Sequence, residues 1–249
     1  MSAIRRLEGI PYEKVWGSWD LSPLFPPSER KIGEVWFAAD SLLIKFLFTT
    51  ENLSVQVHPA DEDCASGKTE MWHILRADPG AKIALGFREP VTRERMVEAA
   101  KGGEIMELLR WIPVHAGETY FTPAHTVHAI GAGIALCEIQ QNSDVTYRLY
   151  DYGRPRELHL EQGARVADLG SHPGACGLPV RCEHFETEAV EVGGEAEYSS
   201  AQDHFLIVLE GNGDLDGETF TAGDVWHVAA GPHSAKGRAR CLRTWVPRG

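Results

Sequence analysis

Apolar and polar positions alternate with a period of two along most of this chain, in short runs cut by Gly, Pro and Asp. The runs read GEVWFAAD, SLLIKFLFTT, LSVQVHP, MWHILRA, AKIALGF, ETYFTPA, IALCEIQQ and VTYRLYDY. A period of two marks β-strands, and short strands spaced this way predict a sandwich or barrel rather than alternating βαβ units. One stretch breaks the rule. From Glu89 to about Ile112 strong helix formers take over, interrupted by Gly102 and Gly103. This predicts two short helices inserted between strands, the first capped by Thr92 with Glu94 in its first turn.

Residues 161 to 190 lose their regularity and carry several Gly and Pro, which marks a boundary. Beyond it HFLIVLEGNGDLDGETFTAGDVWHVAA resumes as strand, turn, strand, turn, strand. HAGETYFTPAHTVHAI in the first half and TAGDVWHVAAGPHSA in the second share a design of Gly, then strand, then turn. Two related β units in tandem explain this most simply, one over residues 1–160 and one over 161–249.

Composition narrows the classes. With 249 residues, 43% hydrophobic and 24% charged, the chain is long enough for one large core or two smaller ones. No apolar run approaches the roughly 18 residues of a membrane span. The first residues lack a signal-peptide stretch, so the cytoplasm is the expected compartment. Five cysteines without a Cys-x-x-Cys pair argue against a disulfide framework or a thiolate metal site. The formal net charge of -12 argues against nucleic acid and anionic membranes as partners, while leaving room for a small phosphorylated ligand that needs only local cations.

LSVQVHP is the first stretch with candidate chemistry. Ser54, Gln56 and His58 share one face of a strand, and Leu53, Val55 and Val57 the other. A half-wet strand gives the same alternation, and a lone histidine is more often a surface or core residue than a ligand. Partners elsewhere decide between the two. Gly117, five residues, Pro123, four residues and His128 form a spacing that resembles the second signature of the cupin superfamily, small jelly-roll barrels that hold a metal on inward-facing strand residues. His128, rather than His125, is then expected to face the metal. The first cupin signature would supply two ligands of period-two spacing, matched by Gln56 and His58, and an acid further on, matched by Glu70. That N/O set is borderline in hardness and suits Zn²⁺, Mn²⁺, Fe²⁺ or Co²⁺.

LSVQVHP, KTEMWHIL and PAHTVHAIGAGIALCEIQQNSDVTYRLYDYGR, with VWGSWDL and GEVWFAAD more weakly, resemble the type I phosphomannose isomerases in their short bacterial form, from about Val15 to Arg154. The resemblance implies an all-β fold of two tandem cupin barrels, the first with the short helical insertion at about 89–112. It implies one Zn²⁺ per chain on Gln56, His58, Glu70 and His128, and interconversion of mannose 6-phosphate and fructose 6-phosphate. It places Arg148 in the active site, with Lys45, Ser54 and Lys68 near the substrate and Glu138 beside them. Such an isomerisation needs a base near C1 and C2 and a cation to hold charge on the oxygens. Lys68 and Glu138 rank slightly ahead of a histidine or a zinc-bound water as the base, with Arg148 holding charge; Lys45 and Ser54 are expected to bind substrate.

Other residues are read conservatively. Lys45 could simply snorkel from a strand edge, His73 and His125 are expected not to be ligands, and Trp16, Trp36 and Trp72 are expected in the core or the pocket wall. Trp16-Gly17-Ser18 departs from the family's usual Trp-Gly-Gly. With Gly223 laid on Gly117, the slot of His128 falls on Ser234, so the second unit is expected to be metal-free and to cover the first barrel or a dimer edge; a homodimer stays open. A cupin oxygenase using Fe²⁺ and a non-catalytic sugar-binding cupin are the rival functions.

Overall fold

The computed structural model describes residues 3–248. The chain begins with β1 (Ile4–Arg6), β2 (Ile10–Ser18), β3 (Ile32–Ala38), β4 (Leu42–Phe48), β5 (Val55–Val57), β6 (Glu70–Ala77) and β7 (Lys82–Phe87). Helices α1 (Arg93–Gly102) and α2 (Ile105–Leu108) follow, then β8 (Leu109–Pro113), β9 (Thr119–Thr122), β10 (His128–Ile130), β11 (Ile134–Gln141) and β12 (Tyr147–Tyr150). After α3 (Leu160–Val166) come β13 (Val180–Arg181), β14 (Glu186–Ser200), β15 (His204–Leu215), β16 (Glu218–Thr221), β17 (Val225–Val228) and β18 (Gly231–Trp245).

The protein is therefore mostly β, in three open sheets. The order is β2-β3-β4-β11-β6-β9 in the first, β12-β5-β10-β7-β8 in the second, and β1-β17-β15-β18-β14-β13 in the third, where β16 pairs with β15. All the named strand pairs are antiparallel. The six-stranded sheet is the middle layer. Its inner face carries Leu47, Trp72, Ile74 and Leu136 toward Ile83, Leu85 and Ile130 of the five-stranded sheet. Its outer face carries Ile44, Phe46, Phe48 and Ile139 against Phe205, Ile207, Val225 and Leu242 of the C-terminal sheet. Each such fully buried side chain contributes roughly 1.5–3 kcal/mol. β4 reads LLIKFLF because both of its faces are covered, so alternation vanishes from the sequence; Lys45 lies on the inner face with Leu43 and Leu47.

The helices cover the far side of the five-stranded sheet, where Met96, Ala99, Ala100 and Ile105 meet Val55, Val57 and Leu149. The Thr92 side chain accepts a hydrogen bond from the Arg95 amide, Glu94 sits in the first turn, and the helix stops at Gly103, whose φ of 84° a side chain would strain. The expected helical insertion ends sooner than its composition suggested. Leu109–Pro113 is strand β8 paired to β7, since an edge strand can recruit a short apolar segment whatever its helix propensity. The irregular stretch after 160 likewise holds one short helix, α3. Gly117 and Gly223, with φ of 90° and 92°, each turn the chain two residues before a short strand, the shared design of the two halves.

Candidate metal centre and cavity

His58 follows the end of β5, Glu70 opens β6 and His128 opens β10, so three chain segments bring their side chains to one point. One donor atom from each lies within 4.8 Å of the others, and all three residues are buried. Backbone carbonyls fix both imidazoles. Nδ1 of His58 lies 2.9 Å from the Val145 carbonyl, and Nδ1 of His128 lies 2.8 Å from the Thr126 carbonyl. A carbonyl can only accept, so each Nδ1 carries the hydrogen and each Nε2 keeps its lone pair for the cluster. Those Nε2 atoms stand 3.7 and 3.4 Å from the two oxygens of Glu70. Gln56, directly opposite His128 in the strand register, puts its amide 3.2 Å from the His128 Nε2. Ser54 donates to the Gln56 Oε1 from 3.2 Å.

The charges explain why these groups belong together. Burial, and after it the charge of Glu138, pushes Glu70 up to about 7. Neither of its buried oxygens accepts a well-aligned hydrogen bond among the described residues. Burial holds His128 down at about 4, and burial followed by the charge of Lys68 keeps His58 well below the ordinary histidine range. Two neutral imidazoles, an amide and a buried carboxylate are a donor set that fits a divalent cation. Lys68 brings one positive charge to them, with Nζ 3.0 Å from both His58 Nε2 and Glu70 Oε2. Burial alone would lower Lys68, but the charges of Glu70 and Glu138 outweigh it and leave it above the ordinary lysine value.

Gln56 and Lys68 also line a cavity of about 310 Å³, within the usual size range of small-ligand sites. Its wall holds the cations Lys14, Lys45, Lys68, Arg148 and Arg156 and the carboxylates Glu34, Glu138 and Asp144, so an acidic protein has a basic pocket. Lys45 Nζ is held 3.0 Å from Glu138 Oε1 and 2.5 Å from Gln140 Oε1, above the face of Trp36 at 4.7 Å. The other Glu138 oxygen accepts from the Trp72 indole at 3.0 Å. Burial would raise Glu138, but Lys45 and then Lys68 overcome it and hold it at about 2. Arg148 pairs with Gln56 in the register of β12 and β5 and donates to the Glu157 carbonyl at 2.9 Å; its buried Nε has no partner among the described residues. Burial, then the charge of Arg156, holds its pKa below the ordinary arginine value.

All nine residues singled out from the sequence thus gather at the cavity or directly beneath it. His125 and His73 stay outside. His125 turns to Asp63 at 2.5 Å, and His73 to Thr119 at 2.9 Å. Trp16 and Trp36 line the cavity, while Trp72 is buried. Sequence reasoning missed Lys14, Glu34, Asp144, Thr146 and Arg156. Glu34 had a usable signal, since it lies two residues from Trp36, which is opposite Lys45 in the sheet register. Arg156 lies outside the strands and offered no periodicity.

A mostly β protein with a buried His/Glu/His cluster beside a cationic cavity is the class that fold and site define. The chain is 33% identical over 266 residues to the mannose-6-phosphate isomerase ManA of Bacillus subtilis, covering 94% of this chain and 84% of that protein. It is 33% identical over 218 residues to the mannose-6-phosphate isomerase of Streptococcus mutans, covering 78% and 69%. The crystal structure of mannose 6-phosphate isomerase from Bacillus subtilis superposes with a TM-score of 0.85 at 25% identity, covering 97% of this chain and 99% of that one. That of a putative mannosephosphate isomerase from Archaeoglobus fulgidus gives 0.84 at 19% identity, covering 98% of each. No family model matches the sequence. On this similarity the chain belongs to the mannose-6-phosphate isomerase family. No helix among the described residues is long and apolar enough to cross a membrane.

Proposed function

We propose that this enzyme interconverts mannose 6-phosphate and fructose 6-phosphate by moving a proton between C1 and C2 through an enediol-like intermediate. The observation that carries the reading is the pair of imidazoles turned by Val145 and Thr126 so that both Nε2 atoms face Glu70, beside a cavity rich in cations. A divalent cation on Gln56, His58, Glu70 and His128, which we take to be Zn²⁺ by the family resemblance, would supply Lewis acidity at the sugar oxygens.

The protein's own groups then divide the work. Arg148, beside Gln56 with an uncommitted Nε, holds the charge that develops on the substrate oxygens. Lys68, held above the ordinary lysine value by Glu70 and Glu138, stays charged and is a poor base. Glu138 is a poor base because both its oxygens are engaged and its charge is strongly held. Its role is to position Lys45. Asp144 is the cavity carboxylate with no side-chain partner among the described residues, and we assign it the proton transfer. Lys45 and Ser54 are committed to their neighbours and Lys14 is paired with Glu34 at 2.8 Å, so the phosphate falls to Arg156 at the wall; Asp151 grips Arg156 through Nε and Nη2 at 2.6 and 2.7 Å and leaves Nη1 without a partner among the described residues.

The same reading takes residues 1–160 as the catalytic unit and 161–249 as a second, metal-free one, the two related as tandem cupin jelly rolls. All residues of the cavity and cluster fall in the first. The test is conversion of mannose 6-phosphate by purified protein before chelation, after it, and after Zn²⁺ is restored. Activity lost and regained supports the isomerase and its metal together; an inactive metal-loaded protein rejects the substrate assignment.

A further inference from the structure

Gln140 is a fully buried amide on β11, two residues beyond Glu138 and on the same inner face. It makes three hydrogen bonds. Its Oε1 accepts from Lys45 Nζ at 2.5 Å, and its Nε2 donates to the carbonyls of Gln141 at 2.9 Å and Ser143 at 2.5 Å. An ammonium can only donate and a carbonyl can only accept, so the orientation of the amide is fixed by chemistry. Among side chains of this length, only glutamine offers one acceptor and two hydrogens in this arrangement. Glutamate would set a carboxylate against two carbonyl oxygens, and methionine would offer none of the three partners a hydrogen bond.

The carbonyls held by Gln140 belong to the last residue of β11 and to the turn that leads on to β12. The Ser143 amide donates to the Gln141 carbonyl at 2.7 Å, and the Ser143 hydroxyl donates to the Ser66 carbonyl at 2.9 Å. Two residues on, the Val145 carbonyl receives the Nδ1 hydrogen of His58. Asp144, between them, lines the cavity. One amide therefore connects a cation of the cavity wall to the carbonyl that orients a cluster imidazole.

We propose that Gln140 is a positioning residue that sets the Lys45 ammonium and the 141–145 turn together, and through Val145 fixes the ring form of His58 that offers Nε2 to a metal. The inference rests on the reading of His58, Glu70 and His128 as a metal site. It extends that reading to a residue that touches neither metal nor sugar. Partners that orient a ligand in this way are worth roughly 10–100-fold in metal affinity or activity.

The test uses Gln140→Glu and Gln140→Met in the full chain, with Thr92→Ala as a variant that weakens the fold far from the cavity. Ring ¹⁵N shifts of His58 in metal-free protein should show hydrogen on Nδ1 in the native chain and in Thr92→Ala, and a mixture of ring forms in the Gln140 variants. Competition with a chromogenic chelator should show Zn²⁺ held roughly tenfold or more weakly by the Gln140 variants and unchanged by Thr92→Ala. Gln140 variants that melt earlier yet keep the native His58 ring form and Zn²⁺ affinity would overturn the proposal. A native chain that binds no Zn²⁺ would reject the metal reading of the cluster, and the ring-form change, read without metal, would still decide the positioning role.

Discussion

Lys45 and Glu138 stand directly opposite each other in the register of β4 and β11, and their charged groups meet at 3.0 Å with 5% of either side chain exposed. A buried pair of this kind is costly to break from one side, because the remaining charge keeps its desolvation penalty. Glu138→Ala is expected to cost about 3–5 kcal/mol of stability. Lys45→Met with Glu138→Leu should recover most of that loss. Urea unfolding of the two variants decides it; a double variant as unstable as the single one would remove the ion pair as the cause.

His58→Ala deletes one of the three ionisable donors of the cluster. Zn²⁺ affinity should fall by at least an order of magnitude, with turnover falling in parallel at limiting metal. Metal content after dialysis against a weak chelator is the check. Native stoichiometry in the variant would exclude His58 from the site.

Arg148→Lys keeps a positive charge but loses the planar fork. If Arg148 holds transition-state charge, kcat should drop by roughly a hundredfold or more with little change in KM. A rise in KM alone would recast it as a group that only binds substrate.

Stability should decline as pH falls from about 6.5 to 4. Burial holds His73 and His204 at about 4 against an ordinary value near 6.5, so across this window the unfolded chain binds more protons and acid favours unfolding. In metal-free protein His128 and His58 act in the same sense. Glu70, raised to about 7, acts oppositely between its ordinary value near 4.5 and 7, one group against these four. Urea midpoints at pH 7 and pH 5 test the sign: a higher midpoint at pH 5 would contradict it.

Thr92→Ala removes a side-chain cap far from the cavity. A loss of about 1 kcal/mol with unchanged turnover is expected. Loss of activity without loss of stability would mean that α1 reaches the site by a route other than its packing.

The helix cap at Thr92 and the strands were legible because each rests on short-range chemistry, whereas Glu70 and His128 were legible only through spaced motifs that resemble a known family. Period-two spacing put Gln56 and His58 on one face, and Glu138 and Gln140 share a face for the same reason, although only the first of that pair was singled out. β8 was hidden because the pull toward β7 outweighed a helix-rich context. α3 was hidden because a short helix is stabilised by tertiary packing, here against β12, more than by its own residues.

By itself the sequence determined the β character, the apolar faces, the inserted helices and the donor types, since these follow from side-chain chemistry and the geometry of neighbouring residues. The tertiary structure alone decided that Glu138 is committed to Lys45 and Trp72, that Lys68 stays charged between His58 and Glu70, and that Val145 and Thr126 choose the ring forms of the histidines. Those outcomes depend on distances between segments remote in the chain, where burial strengthens every charge and hydrogen bond, and one sequence does not encode such distances locally.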